Sequence, residues 1–562
     1  MVDKFLRLLH REIGGLHEAA YLLALFALAS QLLGIVRDRL FAAIFGAGRE
    51  LDIYYAAFRI PDFIFVTAAS LVSISVLVPF LSEKLLDDKE ETKKFIDHTF
   101  SFFILVVVIS CVVAFFAVPY LVPKIFFGFN GAENERLILL TRILLLSPIL
   151  LGVSNYFASI TQLYKRFLVY ALTPVLYNIG IIVGTVLFAR YIGNIGIVIG
   201  VVLGAVLHMA IQVPFIIKEE LFPRLKFPIA WARIRNVIFL SVPRTITLAL
   251  NHVAILILLS TASFMQEGSV AIFNFSWNLQ SVPLTIIGMS YSLAAFPMLS
   301  LLFAQKEMKK FLSEIIEAAR HIIFWSLPLV ALFVVLRAQI VRTVLGASTN
   351  FDWSDTRLTA AAFAIFTISV LAQSIILLFV RGFYAAGKTK IPLLINFISA
   401  LGIIGASYLF NYLFSDSILF KTFLERLLRV ENITGTAVLV LPLAYSAGMI
   451  LNSLLLWLFF ERQFRGFSRP VLSTLYHSFA ASVIIGAGSY VGLNFFDDVF
   501  DTYTAVGIFM QGLCAGLVGV VAGVGMLKLL KNRELSEILR ALHGRIWKVK
   551  VIGPEVTENI ST

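Results

Sequence analysis

The stretch Ser30–Asp62, SQLLGIVRDRLFAAIFGAGRELDIYYAAFRIPD, carries charged residues within or beside segments that otherwise have the composition of membrane spans. The candidates among them are Arg37, Asp38, Arg39, Asp52, Arg59 and Asp62. Ionisable side chains are costly in the hydrocarbon core of a bilayer, so they usually face the interior of a bundle or a water-filled cavity. The stretch therefore predicts a polar pathway through a membrane protein and supplies the first candidates for a functional site.

The rest of the chain is strongly apolar. Of its 562 residues, 59% are hydrophobic and 14% are charged, and the mean hydropathy is +0.90. Apolar runs of about 20 residues or more recur along the sequence, which is the length that a helix needs to cross a bilayer. Because backbone groups in lipid must be satisfied internally, these runs predict an all-α polytopic membrane protein and not a β-barrel.

Fourteen spans are predicted, at about residues 20–46, 52–82, 95–122, 137–163, 168–189, 194–216, 234–263, 270–304, 311–338, 357–381, 391–414, 434–460, 471–495 and 502–527. Alternate connections are rich in Lys and Arg, and the main exception is the mixed-charge segment from Lys421 to Arg429. The positive-inside rule then places both termini in the cytoplasm. The net charge of +12 thus indicates orientation in the membrane and no nucleic-acid partner.

Basic amphipathic segments flank the predicted spans. Residues 1–19 predict an interfacial helix, and residues 531–562 predict a cytoplasmic tail that lies on anionic membrane lipids. Cys111 and Cys514 lie inside apolar runs, where cysteine is usually a small buried hydrophobe. Neither a disulfide nor a metal site is expected from them.

The sequence also repeats itself at one constant offset. Pro79, Gly128, Pro174, Asn178 and Gly184 recur 218 residues later as Pro297, Gly346, Pro392, Asn396 and Gly402. Because six spans separate the copies, they have the same orientation, which predicts a parallel repeat around a central cavity. We call residues 20–217, with spans 1–6, lobe 1, and residues 218–461, with spans 7–12, lobe 2. Residues 462–530 hold spans 13 and 14, which have no repeat partner.

A parallel repeat of this kind favours transport by alternating access. Prolines inside the predicted spans can permit bending, although proline is generally more frequent in membrane helices. These prolines are Pro61, Pro79, Pro174, Pro243, Pro283, Pro297 and Pro392.

Span seven adds polar residues from lobe 2, namely Arg244, Asn251 and His252. Arg244 and His252 are eight residues apart and so lie roughly on one helix face. His252 is equally well explained as a helix-contact residue or as a proton relay. Arginine offers a permanent charge and a planar donor fork that suits phosphate. For Arg37, Arg39 and Asp52 the alternative is an interfacial position from which the side chains reach water.

Three motifs in the opening segment carry a family resemblance. They are Ser30-x-x-Leu33-Gly34-x-x-Arg37-Asp38, Phe45-Gly46-Ala47-Gly48 with Asp52-x-Tyr54-Tyr55-x-Ala57-Phe58-Arg59-Ile60-Pro61, and Val78-Pro79-x-Leu81-Ser82-Glu83. The pattern resembles the MurJ/MviN family of the multidrug/oligosaccharidyl-lipid/polysaccharide exporter superfamily, which also has fourteen spans. The resemblance implies flipping of lipid II, the undecaprenyl-pyrophosphate-linked peptidoglycan precursor, across the bacterial cytoplasmic membrane. It also implies that spans 13 and 14 form a groove for the polyprenyl tail.

The resemblance and the charge pattern together predict two groups of site residues. Substrate-binding residues are expected to be Arg37, Asp38, Arg59, Arg244 and Asn278. Cavity residues and charge partners are expected to be Arg39, Asp52, Asp62, Asn251 and His252.

Several positions depart from the family pattern. Gln31 and Phe65-Val66 stand where the family usually has arginine, Trp277-Asn278 replaces Asp-Arg, and Ala69-Ser70-Leu71 replaces Ala-Glu-Gly. Asn278 can still hydrogen-bond a phosphate or sugar, but it supplies no charge. A divergent cargo is therefore an open alternative.

Competing functions are a flippase for another polyprenyl-linked glycan, a cation-coupled drug exporter that uses Asp62, and a non-transporting scaffold that recruits cell-wall synthesis proteins. A drug exporter would be expected to stop at twelve spans. The sequence contains no nucleotide-binding loop, metal-ligand cluster or nucleophile constellation, so we expect neither an enzyme nor a cofactor, and no use of ATP. Residues 234–263 and 391–414 contain no Asp or Glu, so no sodium site is placed, and coupling is assigned to the membrane potential or an ion gradient.

Overall fold

The computed structural model describes residues 16–71, 89–164, 166–346 and 348–547 of the chain. Within these ranges the protein is helical and contains no β-strand. Residues 1–15 of the predicted interfacial segment, the motif at residues 78–83 and the tail after residue 547 lie outside them.

The helices of the first half follow one another through short connections. They are α1 (Leu16–Phe45), α2 (Arg49–Ala57), α3 (Arg59–Leu71), α4 (Lys89–Ile125), α5 (Gly131–Leu144), α6 (Leu146–Leu163), α7 (Phe167–Val183), α8 (Ala189–Ile192), α9 (Asn194–Ala210) and α10 (Val213–Lys218).

The second half continues the same pattern. It contains α11 (Trp231–Ser263), α12 (Ser269–Pro283), α13 (Ser290–Ala304), α14 (Met308–Val335), α15 (Arg337–Leu345), α16 (Trp353–Ile368), α17 (Val370–Ala385), α18 (Lys390–Asp416), α19 (Ile418–Leu428), α20 (Val440–Gln463), α21 (Ser468–Asp497), α22 (Ala505–Leu529) and α23 (Arg533–Trp547).

Twelve helical stretches of the described chain are long and apolar enough to cross a membrane. Helix α1 and the pair α2 and α3 stand at the predicted spans 1 and 2, but they are not among these twelve. The expected all-α polytopic membrane fold is thus confirmed, while the count of fourteen spans and the domain boundaries stay predictions.

Three buried apolar clusters organise the bundle. One, which includes Phe103 and Tyr156, lies mainly in lobe 1, and a second, which includes Phe379, lies mainly in lobe 2. The third and largest takes residues from both lobes, among them Leu51 and Phe275. The two lobes are therefore joined by a shared apolar core at one end of the bundle.

Close helix packing in lobe 1 depends on glycine. Gly180 and Gly184 face Gly204 and Gly200 where α7 and its continuation meet α9, and a Cβ atom on Gly200 would lie 2.7 Å from Gly184 Cα. Small residues spaced four apart allow such an approach of two helix backbones in lipid. The spacing is visible in the sequence of both helices.

We expect Gly200→Val to destabilise the protein by about 1 to 3 kcal/mol, because the added side chain meets backbone that has no room to move. Thermal unfolding of the purified protein in detergent measures this effect. Gly405→Val is the matched control, since a Cβ at Gly405 in α18 meets nothing within 4 Å. Equal unfolding temperatures for the two variants would contradict the packing argument.

Two spans contain a π-helical turn, at Gly184–Phe188 and at Leu284–Met289. The second turn directly follows Pro283, which ends α12. Proline removes a backbone hydrogen bond, and π-helical turns inside α-helices are frequent at functional sites. Pro283, one of the prolines that can permit bending, is thus followed by an irregular turn in span 8.

The C-terminal helix α23 contacts the bundle through the buried carboxylate of Glu534 and through the apolar side chain of Leu535. Glu534 Oε1 accepts hydrogen bonds from Arg320 Nε at 2.7 Å and from Thr474 Oγ1 at 2.6 Å, and Glu534 is 2% exposed. Arg320 lies in α14 and Thr474 in α21. Burial alone would raise the pKa of Glu534, but the hydrogen bond from Thr474 and the charge of Arg320 lower it below its ordinary value.

We expect the docking of α23 to depend on pH. Because the folded-state pKa of Glu534 is depressed, its contribution is complete above the ordinary value of 4.5 and is lost as the pH falls through the lowered value. A spin label at the exposed position 540 of a cysteine-free chain should become mobile only in that acidic range. In Glu534→Gln the label should already be more mobile at neutral pH, whereas Arg533→Gln, at a side chain that is 71% exposed and pairs with Glu537 of the same helix, should leave mobility unchanged.

Candidate central transport site

A cavity of about 420 Å³ lies between the lobes. Helices α1, α2, α3 and α7 of lobe 1 and α11 and α12 of lobe 2 supply its walls. Its lining residues are Arg37, Phe41, Tyr54, Tyr55, Phe58, Arg59, Asp62, Tyr177, Ile181, Asn251, His252, Ile255, Phe273, Asn274, Trp277 and Asn278. Most of the predicted polar site residues are thus brought together on one cavity surface.

Two polar side chains, Asp38 and Asn178, hold the guanidinium group of Arg37. Its Nη2 atom lies 2.8 Å from Asp38 Oδ1, and its Nη1 atom donates to Asn178 Oδ1 at 3.3 Å. Asp38 Oδ2 in turn accepts from Asn278 Nδ2 of lobe 2 at 3.0 Å. Arg37 is therefore fixed by a polar network that joins α1 to α7 and, through Asp38, to α12.

Arg59 forms a second link between the lobes. Its Nη2 atom donates to Asn274 Oδ1 at 2.6 Å, while Asn274 Nδ2 donates to the carbonyl of Val270 in its own helix. Asp62, one helical turn after Arg59, lines the same cavity. The two arginines and the two aspartates Asp38 and Asp62 carry equal and opposite formal charge.

Two lining groups have polar atoms that are buried and unpartnered within the described part of the chain. They are the hydroxyl of Tyr55 and the Nε atom of Arg59. Buried donors of this kind are costly unless a ligand or water satisfies them. Together with the ring of Trp277, they give the cavity donors and an aromatic surface, which suit an anionic or sugar-containing headgroup.

Arg39 and Asp52 lie outside this cavity. Arg39 Nη1 donates to the carbonyl of Thr343 in α15 at 3.1 Å. Asp52 is 1% exposed and accepts from the backbone N–H groups of Gly268, at 2.7 Å, and Ala271, at 2.8 Å. Both residues therefore join the two lobes instead of facing the cavity.

These contacts define a closed end of the bundle, formed around Asp52, Gly268 and Asn350. Asn350 Nδ2 donates to the carbonyl of Ile44 at 2.9 Å, so α1 is held by the segment between α15 and α16. Gly268 adopts φ +87° and packs against the Ala47 carbonyl, where a Cβ atom would clash. Glycine is required there because it alone combines that backbone angle with so close an approach.

Arg244 belongs to α11, but its side chain lies outside the described part of the structure. Asn251 and His252 of the same helix line the cavity. A metal-ligand cluster of His, Cys, Asp or Glu is absent from the residues that the structure describes. The polar groups of the cavity are thus those of a binding site built from arginine, aspartate and amide side chains.

Sequence reasoning missed several lining residues. Asn274, Tyr177 and Trp277 line the cavity but are not predicted as binding residues. Asn178, which accepts from Arg37 without being a lining residue, is predicted only as part of the repeat. An asparagine inside an apolar span is a detectable signal, because an unsatisfied amide is costly in lipid. Aromatic residues gave no such signal, since they are common in apolar helices.

Comparison with known proteins extends these observations. The family described as "Lipid II flippase MurJ" matches residues 41–513 of the chain. A protein of Burkholderia cenocepacia with the name "Lipid II flippase MurJ" is 25% identical over 84% of this chain and 89% of its own length. A Bdellovibrio bacteriovorus "Probable lipid II flippase MurJ" is 24% identical over 93% of this chain and 96% of its own.

Solved structures give the same fold. "Lipid II flippase MurJ, inward closed conformation" superposes with a TM-score of 0.70 and 23% identity, covering 91% of this chain and 100% of that one. An inward-facing multidrug resistance MATE family transporter of the MOP superfamily gives a TM-score of 0.63 with 14% identity, covering 78% of this chain and 96% of that one. Since the family match spans most of the sequence, the chain belongs to the MurJ lipid II flippase family, as the opening motifs predicted.

Proposed function

We propose that this protein flips a polyprenyl-pyrophosphate-linked cell-wall precursor of the lipid II class across the bacterial cytoplasmic membrane by alternating access. Family membership supports the cargo class, because the named relatives are lipid II flippases. The single structural observation that carries the proposal is the cavity between the lobes, where Arg37 and Arg59 lie in otherwise apolar helices.

The geometry of this cavity suits alternating access. Arg59 with Asn274, and Asp38 with Asn278, each join lobe 1 to lobe 2 directly at the cavity wall. A pyrophosphate that bound Arg37 and Arg59 would compete with these hydrogen bonds. It would thereby weaken the contact between the lobes. Binding energy would thereby be used to change the conformation, as a transporter requires.

The polyprenyl tail is proposed to stay in the lipid beside spans 13 and 14. Helices α21 and α22 pack along each other, and their outer faces expose apolar side chains such as Phe479, Val491 and Val521. For the topology we propose cytoplasmic termini, on the positive-inside rule, which makes the closed end face the cell exterior. Coupling is assigned to the membrane potential or an ion gradient.

Complementation tests the function. The native chain should restore growth of a bacterium depleted of its own flippase, and the precursor should again become accessible to a membrane-impermeant hydrolase added outside. A chain that reaches the membrane at normal abundance, yet restores neither growth nor accessibility, would contradict the proposed cargo.

A cation-coupled drug exporter is the second candidate, and Asp62 in the cavity is the observation that favours it. The superposition with the MATE transporter covers 96% of that chain but only 78% of this one. Drug resistance that is conferred by the native chain and lost in Asp62→Asn, without any effect on precursor flipping, would favour this function over the first.

A further inference from the structure

A second, separate cavity lies beside lobe 2, between α14, α15, α16, the end of α19 and α21. Its volume is about 570 Å³, and three arginines line it, namely Arg337, Arg357 and Arg429. It belongs to the closed end of the bundle, because α15 also carries the Thr343 carbonyl that binds Arg39. The central cavity shares none of its lining residues.

The three guanidinium groups are held by neutral acceptors. Arg337 donates to the carbonyls of Val334, at 2.9 Å, and Leu428, at 3.2 Å, and Arg357 donates to the carbonyl of Arg429. Arg429 itself donates to Tyr490 Oη at 3.3 Å and lies over the Tyr490 ring. No carboxylate of the described chain forms an ion pair with any of the three, so their positive charges remain uncompensated.

The acidic residues closest in sequence are engaged elsewhere, and Asp355, two residues before Arg357, accepts from the backbone N–H of Asp352 at 3.3 Å. Glu425 accepts from the hydroxyl of Thr436 at 2.6 Å, and Glu431 pairs with Arg426 at 3.1 Å. The positive charges of Arg337 and Arg429 lie close enough to repel each other. An anion in the cavity would relieve this repulsion between like charges.

Backbone geometry also fixes the cluster. Arg429 ends α19 with φ +59°, a left-handed conformation that is uncommon for residues other than glycine. This conformation places the Arg429 carbonyl where Arg357 binds it. The arginines are thus held in place without a ligand, at a position where the chain adopts an unfavourable backbone angle.

The surroundings of the cluster are those of a membrane interface. Val334, Val335, Leu427 and Leu493 line the same cavity, and α19 exposes a row of apolar residues, Ile418, Leu419, Phe423 and Leu427, along its outer side. Trp353 and Tyr490 stand at the rim and are 55% and 45% exposed. Tyrosine and tryptophan are enriched at the level of lipid headgroups, where amphipathic helices also lie.

We propose that Arg337, Arg357 and Arg429 form a binding site for the phosphate of an anionic lipid headgroup, with the acyl chains along α19 and α21. A phosphate group would compensate the positive charges of the three guanidinium groups, since arginine binds phosphate oxygens in a bidentate manner. The apolar wall favours a lipid over free inorganic phosphate. The site is distinct from the central cavity and does not depend on the proposed transport function.

The test uses the full chain reconstituted in phosphatidylcholine nanodiscs and spin-labelled lipids as probes. Phosphatidylglycerol should associate at least about tenfold more tightly than phosphatidylcholine, because cationic side chains at the surface attract anionic headgroups. The triple variant Arg337→Gln, Arg357→Gln, Arg429→Asn should lose this preference. Asparagine is chosen at position 429 because it tolerates the left-handed conformation. Arg426→Gln is the matched control, since Arg426 lies on the same helix but is paired with Glu431.

Equal association of the two lipids with the native chain would overturn the proposal, and this comparison needs no variant to fold. An unchanged preference in a triple variant with native unfolding temperature would also overturn it. Competition with inorganic phosphate is the last measurement, and it distinguishes a lipid from a free anion. Displacement of phosphatidylglycerol by an equal concentration of inorganic phosphate would assign the site to the free anion and overturn the lipid assignment, while displacement only at large excess would support the lipid.

Discussion

Arg37→Ala is expected to abolish rescue of a flippase-depleted bacterium. The substitution removes the guanidinium that lies 2.8 Å from Asp38 and 3.3 Å from Asn178 on the cavity wall. Loss of hydrogen bonds from a charged donor corresponds to about 10- to 100-fold weaker binding of an anionic headgroup. Arg59→Ala should act in the same direction. The measurement is growth, together with exposure of the precursor at the outer surface.

Folding and binding must be separated in this experiment. Removing Arg37 leaves Asp38 buried without its cation, and breaking a buried ion pair can cost about 3 to 5 kcal/mol. The double variant Arg37→Ala, Asp38→Ala removes both charges and should recover abundance without recovering flipping. Arg190→Ala, at an exposed arginine of α8, should retain both. Full rescue by Arg37→Ala and Arg59→Ala at normal abundance would remove these residues from the binding site.

Sequence analysis predicts best the charged residues of apolar helices, because their cost in lipid is avoided only if they face a polar cavity. Arg37, Arg59 and Asp62 lie in apolar helices, so their cost in hydrocarbon predicts a cavity, and the structure places all three on it. Asn278 was identified by its place in the family pattern and lies on the same wall. Helix content and apolar spans follow from composition in the same direct way.

The sequence does not show which groups of the opposite lobe a charged residue contacts. Asp52 and Arg39 have the same chemistry as the cavity residues, and only the packing of α12 and α15 against lobe 1 shows that they bind backbone groups there. Such acceptors are main-chain atoms, which leave no residue type to recognise. The three arginines beside α19 are missed for a related reason, because they lie in α15, in α16 and at the end of α19, and only the fold brings them together.

Asp52→Ala is expected to open the closed end of the bundle. The carboxylate accepts two backbone N–H groups of the first turn of α12, from the opposite lobe, and is 1% exposed. A carboxylate at a helix N-terminus satisfies orphan donors and interacts favourably with the helix dipole. Removing it should shift the equilibrium away from the closed arrangement by about 1 to 3 kcal/mol, a change of roughly 5- to 150-fold in the ratio of closed to open molecules.

Spin labels on the two lobes measure this shift. The exposed positions Glu135, at the start of α5, and Ser354, at the start of α16, can carry them once Cys111 and Cys514 are replaced. Longer distances should gain population in Asp52→Ala, and Asp52→Asn should lie between that variant and the native chain, because one amide oxygen can replace only part of the carboxylate. Asp498→Ala, at an exposed acid near the end of α21, should reproduce the native distances. If Asp52→Ala kept the native distances while folding normally, closure would have to rest on the remaining contacts of Arg39 and Asn350, and the carboxylate would serve only to cap α12.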